Sequence, residues 1–101
     1  MSGIATPVIE AGWVSKGFQQ VTSLSAAAKL TVPDGASFAL IQCTTQNVRW
    51  RADGTAPTTT VGMQMLATSN SEMFRGHEML EALQFIEETG SAVLNVHYFT
   101  G

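Results

Sequence analysis

The feature that most constrains this chain is the shortness of its apolar runs and the regularity of the breaks between them. Residues 20–24, 28–32, 37–44, 48–51, 61–66, 72–75 and 91–99 each carry a short stretch in which apolar side chains recur at every second position. A period of two lets a strand bury one face and wet the other. Turn chemistry separates the runs. Pro33-Asp34-Gly35 joins a preset φ, a locally capping carboxylate and a residue free to take positive φ, and Asp53-Gly54 does the same more briefly. Pro57 fixes φ and withdraws a donor, so the following segment enters a sheet at an edge or after a turn. About eight short strands with such punctuation, and at most one short helix, predict an all-β chain folded as an antiparallel β-sandwich.

Residues 37–44 read as a central strand, with Phe38, Leu40 and Gln42 opposing Ala39, Ile41 and Cys43. Thr45-Gln46 then leads into 48–51, and the two segments are expected to form a hairpin. In 91–99, Ala92, Leu94, Val96 and Tyr98 share one face, and Val93, Asn95, His97 and Phe99 the other. The ambiguous part is 78–88. Met79, Leu83 and Ile86 at i, i+4 and i+7 fit a helix face with Gly90 as its C-cap, whereas Leu83 and Phe85 between polar neighbours fit a strand. Periodicity leans toward helix; the strand count of a sandwich turns the expectation to strand.

The first 18 residues mix Gly3, Pro7, Gly12 and Gly17 with Ile4, Val8, Ile9, Trp13, Val14 and Phe18. Gly and Pro break regular elements, yet so much apolar content is wrong for a solvated tail. Residues 1–18 are therefore expected to be an extended N-terminal arm, and 19–101 a single β-sandwich domain. The arm packs either on its own domain or on a neighbouring subunit, where Trp13 would be a suitable anchor.

Composition sharpens this. At 101 residues there is room for one core, and only 13% of residues are charged, against about 25% in an ordinary soluble domain. Part of the surface is thus expected to be covered by another chain. A net charge of −3 with five basic residues offers no field for nucleic acid. No apolar run approaches the roughly 18 residues of a membrane span, the N-terminal residues lack the pattern of a signal peptide, and Ser2 stands where myristoylation needs glycine. Cys43 is the only cysteine and reads as a small buried hydrophobe.

No constellation points to catalysis. His77 and His97 have no further ligand types at metal spacing, both aspartates sit in Asp-Gly turns, and Glu81, Glu87 and Glu88 read as a solvated face. Phosphate-binding glycine motifs are absent. No cofactor or metal is expected. The arrangement most open to a functional role is Arg49 and Arg51 bracketing Trp50, with Asp53 two residues on. Both arginines lie on the face opposite Val48 and Trp50, and each wants a carboxylate or carbonyl. Asp53 and a neighbouring strand can supply these within the subunit; alternatively Arg49, Arg51 and Asp53 form a clasp across an interface, with Trp13 as a second contact.

The run Val48-Arg49-Trp50-Arg51-x-Asp53-Gly54-Thr55-x-Pro57-Thr58, followed by Gly62, resembles a group of small tailed-phage virion structural proteins. The likeness extends back through Ala39-Leu40-Ile41-Gln42 and on to 94–99, covering roughly residues 20–100. Such proteins are similar to jelly-roll decoration, or cement, proteins of phage heads. The resemblance implies a jelly-roll sandwich and a non-enzymatic protein on the capsid surface, made in the host cytoplasm. Its implied partners are the major capsid protein and further copies of itself, as a homotrimer or other cyclic oligomer on a local symmetry axis. A tail- or fibre-associated module and a small carbohydrate-binding jelly roll are the alternatives; for the latter, Trp13 and Tyr98 are the aromatic side chains available.

Overall fold

The computed structural model describes residues 12–101. Eight strands follow one another as β1 (Val14–Val21), β2 (Ala28–Lys29), β3 (Phe38–Thr44), β4 (Val48–Arg51), β5 (Met63–Met65), β6 (Glu72–Arg75), β7 (Gln84–Glu87) and β8 (Val93–Thr100). One helix, α1 (His77–Ala82), lies between β6 and β7. The strands make two four-stranded antiparallel sheets, β1-β8-β3-β6 and β2-β7-β4-β5. Strands 1 and 8, 2 and 7, 3 and 6, and 4 and 5 are neighbours. That order is a long antiparallel ribbon rolled so that successive pairs fall in alternate sheets, the jelly roll.

The alternation read from the sequence sets which side chains fill the space between the sheets. From the first sheet come Ala39, Ile41, Cys43, Leu94, Val96 and Tyr98, all at most 1% exposed. Their register is direct, Ala39 opposite Tyr98, Ile41 opposite Val96 and Cys43 opposite Leu94. Val48, Phe85 and Met65 answer from the second sheet, and Leu24, Leu80 and Leu83 close the ends. Each buried aliphatic or aromatic side chain contributes about 1.5–3 kcal/mol. Tyr98 lies in this core, where its hydroxyl donates to Gln19 Oε1 at 2.7 Å and burial pushes its pKa up to about 12. It is therefore withdrawn from the surface role that a glycan platform would require.

The expected hairpin between residues 37–44 and 48–51 does not form. β3 pairs with β6 and β8, and β4 pairs with β5 and β7, so the chain crosses from one sheet to the other at Thr45-Gln46. Thr45 takes φ 70, a left-handed turn that a β-branched residue seldom adopts, and Gln46 N–H donates to Thr44 O at 2.9 Å. The Thr45 hydroxyl also donates to Ser91 O, on the neighbouring β7–β8 connection, where Ser91 has φ 76. Two tight connections at one end of the sandwich thus hold each other in place. Alternation cannot distinguish a strand's hairpin partner from its counterpart in the facing sheet, because both present an apolar face to the same core.

Residues 78–88 divide between the two readings. Gly76, at φ 100, opens α1, and Leu83, at φ −63 and ψ 135, ends it and starts the extended chain of β7. Six residues are too few for a self-standing helix; burial of Leu80 and Leu83 holds it. Ile86 leaves the helical periodicity because Phe85 takes the inward position in β7, opposite Trp50.

β1 begins at Val14, so the expected boundary between arm and domain at residue 18 falls inside a strand. The register shifts between Ser15 and Gly17, a bulge in which Gly17 adopts φ 137. One glycine at the bulge lets the strand continue where the sequence reads as broken. The part of the arm reading that concerns 1–11 lies outside the described residues.

Candidate interaction surfaces

The outer face of the second sheet is built on the alternation of β4. Val48 is buried and Trp50 half-buried against Phe74, ring centroids 5.0 Å apart and nearly perpendicular. Trp50 therefore serves the core, and Arg49 and Arg51 project outward. Arg51 and Asp53 make a two-point pair, Nε to Oδ1 at 3.0 Å and one terminal nitrogen to Oδ2 at 2.6 Å. Asp53 Oδ1 also accepts from Thr55 N–H at 3.4 Å, which fastens the turn at Gly54, φ 87. The Arg51 hydrogen bond holds the Asp53 carboxyl below its usual range, and Asp53 in turn raises the guanidinium.

Arg49 is held differently. Its Nε donates to Glu88 Oε2 at 2.7 Å, and a terminal nitrogen donates to Gly62 O at 3.1 Å. Glu88 is a hub: Gln64 Nε2 donates to the same oxygen at 2.8 Å and Asn47 Nδ2 to the other at 3.4 Å. Asn47 Oδ1 accepts from Ala67 N–H at 2.8 Å. Partial burial pushes the Glu88 carboxyl up, but the bonds from Arg49, Gln64 and Asn47 and the Arg49 charge outweigh it, and the net shift is downward. Side chains of this pair are 25% and 19% exposed, against 29% and 58% for Arg51 and Asp53, so only the first pair is substantially withdrawn from water. Each arginine thus has a carboxylate within its own chain.

Gly62 explains why the motif ends on glycine. A Cβ there would stand 3.1–3.2 Å from Pro57 Cβ, Arg49 Cβ and Trp50 O, at φ +141. Beyond it the surface turns apolar: Val61, Met63 and Leu66 are 52%, 59% and 43% exposed. Val61 and Met63 line a shallow groove of about 280 Å³ with Trp50, Arg51 and Asp53.

The outer face of the first sheet has another chemistry. Across it run three rows. Phe99 and Phe38 stack at 5.4 Å, with Arg75 over Phe38 at 5.6 Å. The next row is Phe18, His97, Leu40 and Met73, and the third is Gln20, Asn95 and Gln42. Trp13 packs edge-on against Phe38 at 4.8 Å and lies 5.2 Å from Phe99, so within the described residues it covers its own sheet. Trp13 and the Arg49–Arg51–Asp53 cluster are therefore on opposite faces of the sandwich and do not form one site.

The remaining chemistry-bearing side chains have local partners. Cys43 is buried, its thiol donates to Met65 O at 3.3 Å, and burial pushes its pKa up. His77 Nδ1–H donates to Ala36 O at 2.7 Å and its Nε2 lies 3.3 Å from Glu81; the carbonyl first, then Glu81, raises its pKa. Among the described residues no three His, Cys, Asp or Glu side chains converge as metal ligands would. Sequence reasoning missed Glu88, read as a solvated acid, and the amide row. Neither carries a sequence signal, because both depend on which strands become neighbours. Comparison with protein-family models, with curated proteins and with solved structures finds no match for this chain.

Proposed function

We propose that this chain is a non-enzymatic structural protein of a tailed-phage virion, a decoration protein that binds the major capsid protein on the head exterior and assembles as a homotrimer. The observation that carries the reading is the exposed apolar pair Val61 and Met63, which share one groove with Arg51 and Asp53. These are two of the six large apolar side chains exposed among the described residues, on a chain only 13% charged. Apolar side chains gathered at one place and rimmed by polar groups are what a protein-docking site offers. The resemblance of residues 48–62 to phage virion proteins supplies the partner, and the same run leads into this surface. Asp53, Arg51 and, through Gly62, Arg49 shape it, while Trp13 serves the opposite face.

The test is co-sedimentation of purified protein with phage heads lacking it. Saturable binding is expected, weakened at least tenfold in a Val61→Asp, Met63→Asp variant. Absence of binding to heads, with labelled protein found on tails, would replace the reading by a tail-associated module. Light scattering should give three times the 10.8 kDa of the chain; a monomer mass at tens of micromolar would remove the trimer.

A further inference from the structure

The outer face of the first sheet holds a second groove, of about 230 Å³, lined by Phe18, Leu40, Gln42, Ser71, Asn95 and His97. Its lining contains no Lys, Arg, Asp or Glu. One side is apolar and aromatic. Phe18 stands 62% exposed on β1, its ring perpendicular to that of His97 at 6.1 Å. His97 is itself held flat, stacked on Phe99 at 4.4 Å and hydrogen-bonded to Ser15 Oγ at 3.0 Å. The other side carries the carboxamides of Asn95 and Gln42, tied across three strands to Gln20, which lies outside the lining. Gln20 Nε2 donates to Asn95 Oδ1 at 3.0 Å, and Asn95 Nδ2 donates to Gln42 Oε1 at 3.3 Å.

Those bonds use only part of the row's capacity. Each carboxamide has two donors and an acceptor with two lone pairs, so the chain of bonds leaves Gln42 Nε2, the second hydrogen of Asn95 Nδ2 and Gln20 Oε1 free of one another. Donors and acceptors therefore alternate along a line whose geometry is already set, beside a ring face open to solvent. A charged ligand would find no counter-charge in this lining. A purely apolar one would strip water from the amides without replacing its hydrogen bonds. A pyranose meets both demands, because its C–H face can lie on the aromatic and aliphatic side while adjacent hydroxyls donate to and accept from the amides.

We propose that this groove is a binding site for a neutral sugar residue, with Phe18 as the platform and Asn95 and Gln42, held in place by Gln20, reading the hydroxyls. The site lies on the other sheet from the surface proposed to meet the capsid and does not depend on that reading. A groove this small and shallow takes one sugar unit, with Kd on the order of 1 mM for a monosaccharide.

The experiment is a titration of the full-length, isotope-labelled chain with methyl pyranosides of glucose, galactose, mannose and N-acetylglucosamine to about 50 mM, followed by NMR. The expected result is a saturable shift with at least one of the four, confined to the side-chain amides of Gln42 and Asn95, the Phe18 ring and the backbone around them. Phe18→Ala, a change at an exposed ring, should keep the dispersed spectrum of the folded protein and bind at least tenfold more weakly. Arg51→Ala should bind as the parent does. The methyl glycoside of N-acetylneuraminic acid should not bind. No saturable shift with any neutral sugar, shifts mapping elsewhere, equal binding of the anionic sugar, or undiminished binding by folded Phe18→Ala would each overturn the proposal. So would loss of head binding by Phe18→Ala without any sugar shift, because the face would then dock protein.

Discussion

The two outer faces of the sandwich use the same strand geometry for opposite ends. On the second sheet, side-chain bonds of 2.6–3.4 Å join Arg51 to Asp53 and, separately, Arg49, Gln64 and Asn47 to Glu88. The effect is mechanical: β4 is tied to β5, to the chain beyond β7 and to the Asp53 turn. On the first sheet, the outward positions carry rings, aliphatic groups and carboxamides whose mutual bonds leave capacity over. A face whose polar groups are internally matched gains little from a new polar partner. A neutral face with donors and acceptors to spare can accept a ligand at little desolvation cost. Charge on a sheet surface can thus mark the part committed to holding the fold.

That contrast can be broken at several points, and the largest expected effect is at Gly62. Gly62→Ala places a Cβ against Arg49, Trp50 and Pro57 in a conformation L-residues avoid, and is expected to cost about 2–3 kcal/mol in denaturant unfolding. A loss below 0.5 kcal/mol would mean that the packing of the motif relaxes freely.

Next comes Glu88→Ala, which leaves Arg49 with only the Gly62 carbonyl and removes acceptors from Gln64 and Asn47. It should destabilise by about 1–2 kcal/mol, well above the effect of an ordinary surface change. Asp53→Ala, at the exposed pair, should shift the melting temperature only slightly. If the two variants melted alike, the distinction between the half-buried hub and the exposed clasp would fail.

pH separates the same groups. Asp53 and Glu88 have folded pKa values below their ordinary ones, so their contribution is present above the unfolded-state pKa and is lost as pH falls through the folded value, on the acid side of 3.8 for Asp53 and of 4.5 for Glu88. His77 is shifted the other way, from an ordinary 6.5 upward. Its contribution is complete below 6.5 and disappears as pH rises through the folded value. His77→Gln should therefore flatten the fall in melting temperature just above pH 6.5 and leave the acid limb unchanged; an unchanged fall would assign it to another group.

The smallest expected stability effect is on the first sheet. Phe18→Ala should change unfolding free energy by no more than about 0.5 kcal/mol, because the ring is largely in water. A loss above 1 kcal/mol would show that the ring is part of the packing and not free to serve a ligand.

What is legible in the sequence follows from short-range physics. The inward faces of β3 and β8 were readable residue by residue, because a period of two and one buried side leave a single solution. The turn at Pro33-Asp34-Gly35 was readable too: Ala36 N–H donates to Pro33 O at 3.2 Å with Gly35 at φ 82. The outward projection of Arg49 and Arg51 was fixed by Val48 and Trp50, and the Arg51–Asp53 pair, two residues apart, needs no tertiary information. Less visible was β1, whose glycine at a bulge mimics a break.

Tertiary structure alone decided the rest. Glu88 reaches Arg49 across 39 positions of chain, and the Gln20–Asn95–Gln42 row joins residues 75 and 53 apart. The sheet crossing at Thr45 belongs to the same class, because alternating patterns are satisfied equally by a hairpin and by a facing sheet. By itself, then, the sequence determined strands, faces and tight turns, since steric limits on φ and the pleat act over a few residues. Which strands lie side by side was decided by the closing of one shared core, and every surface proposed here as a site is a consequence of that closing.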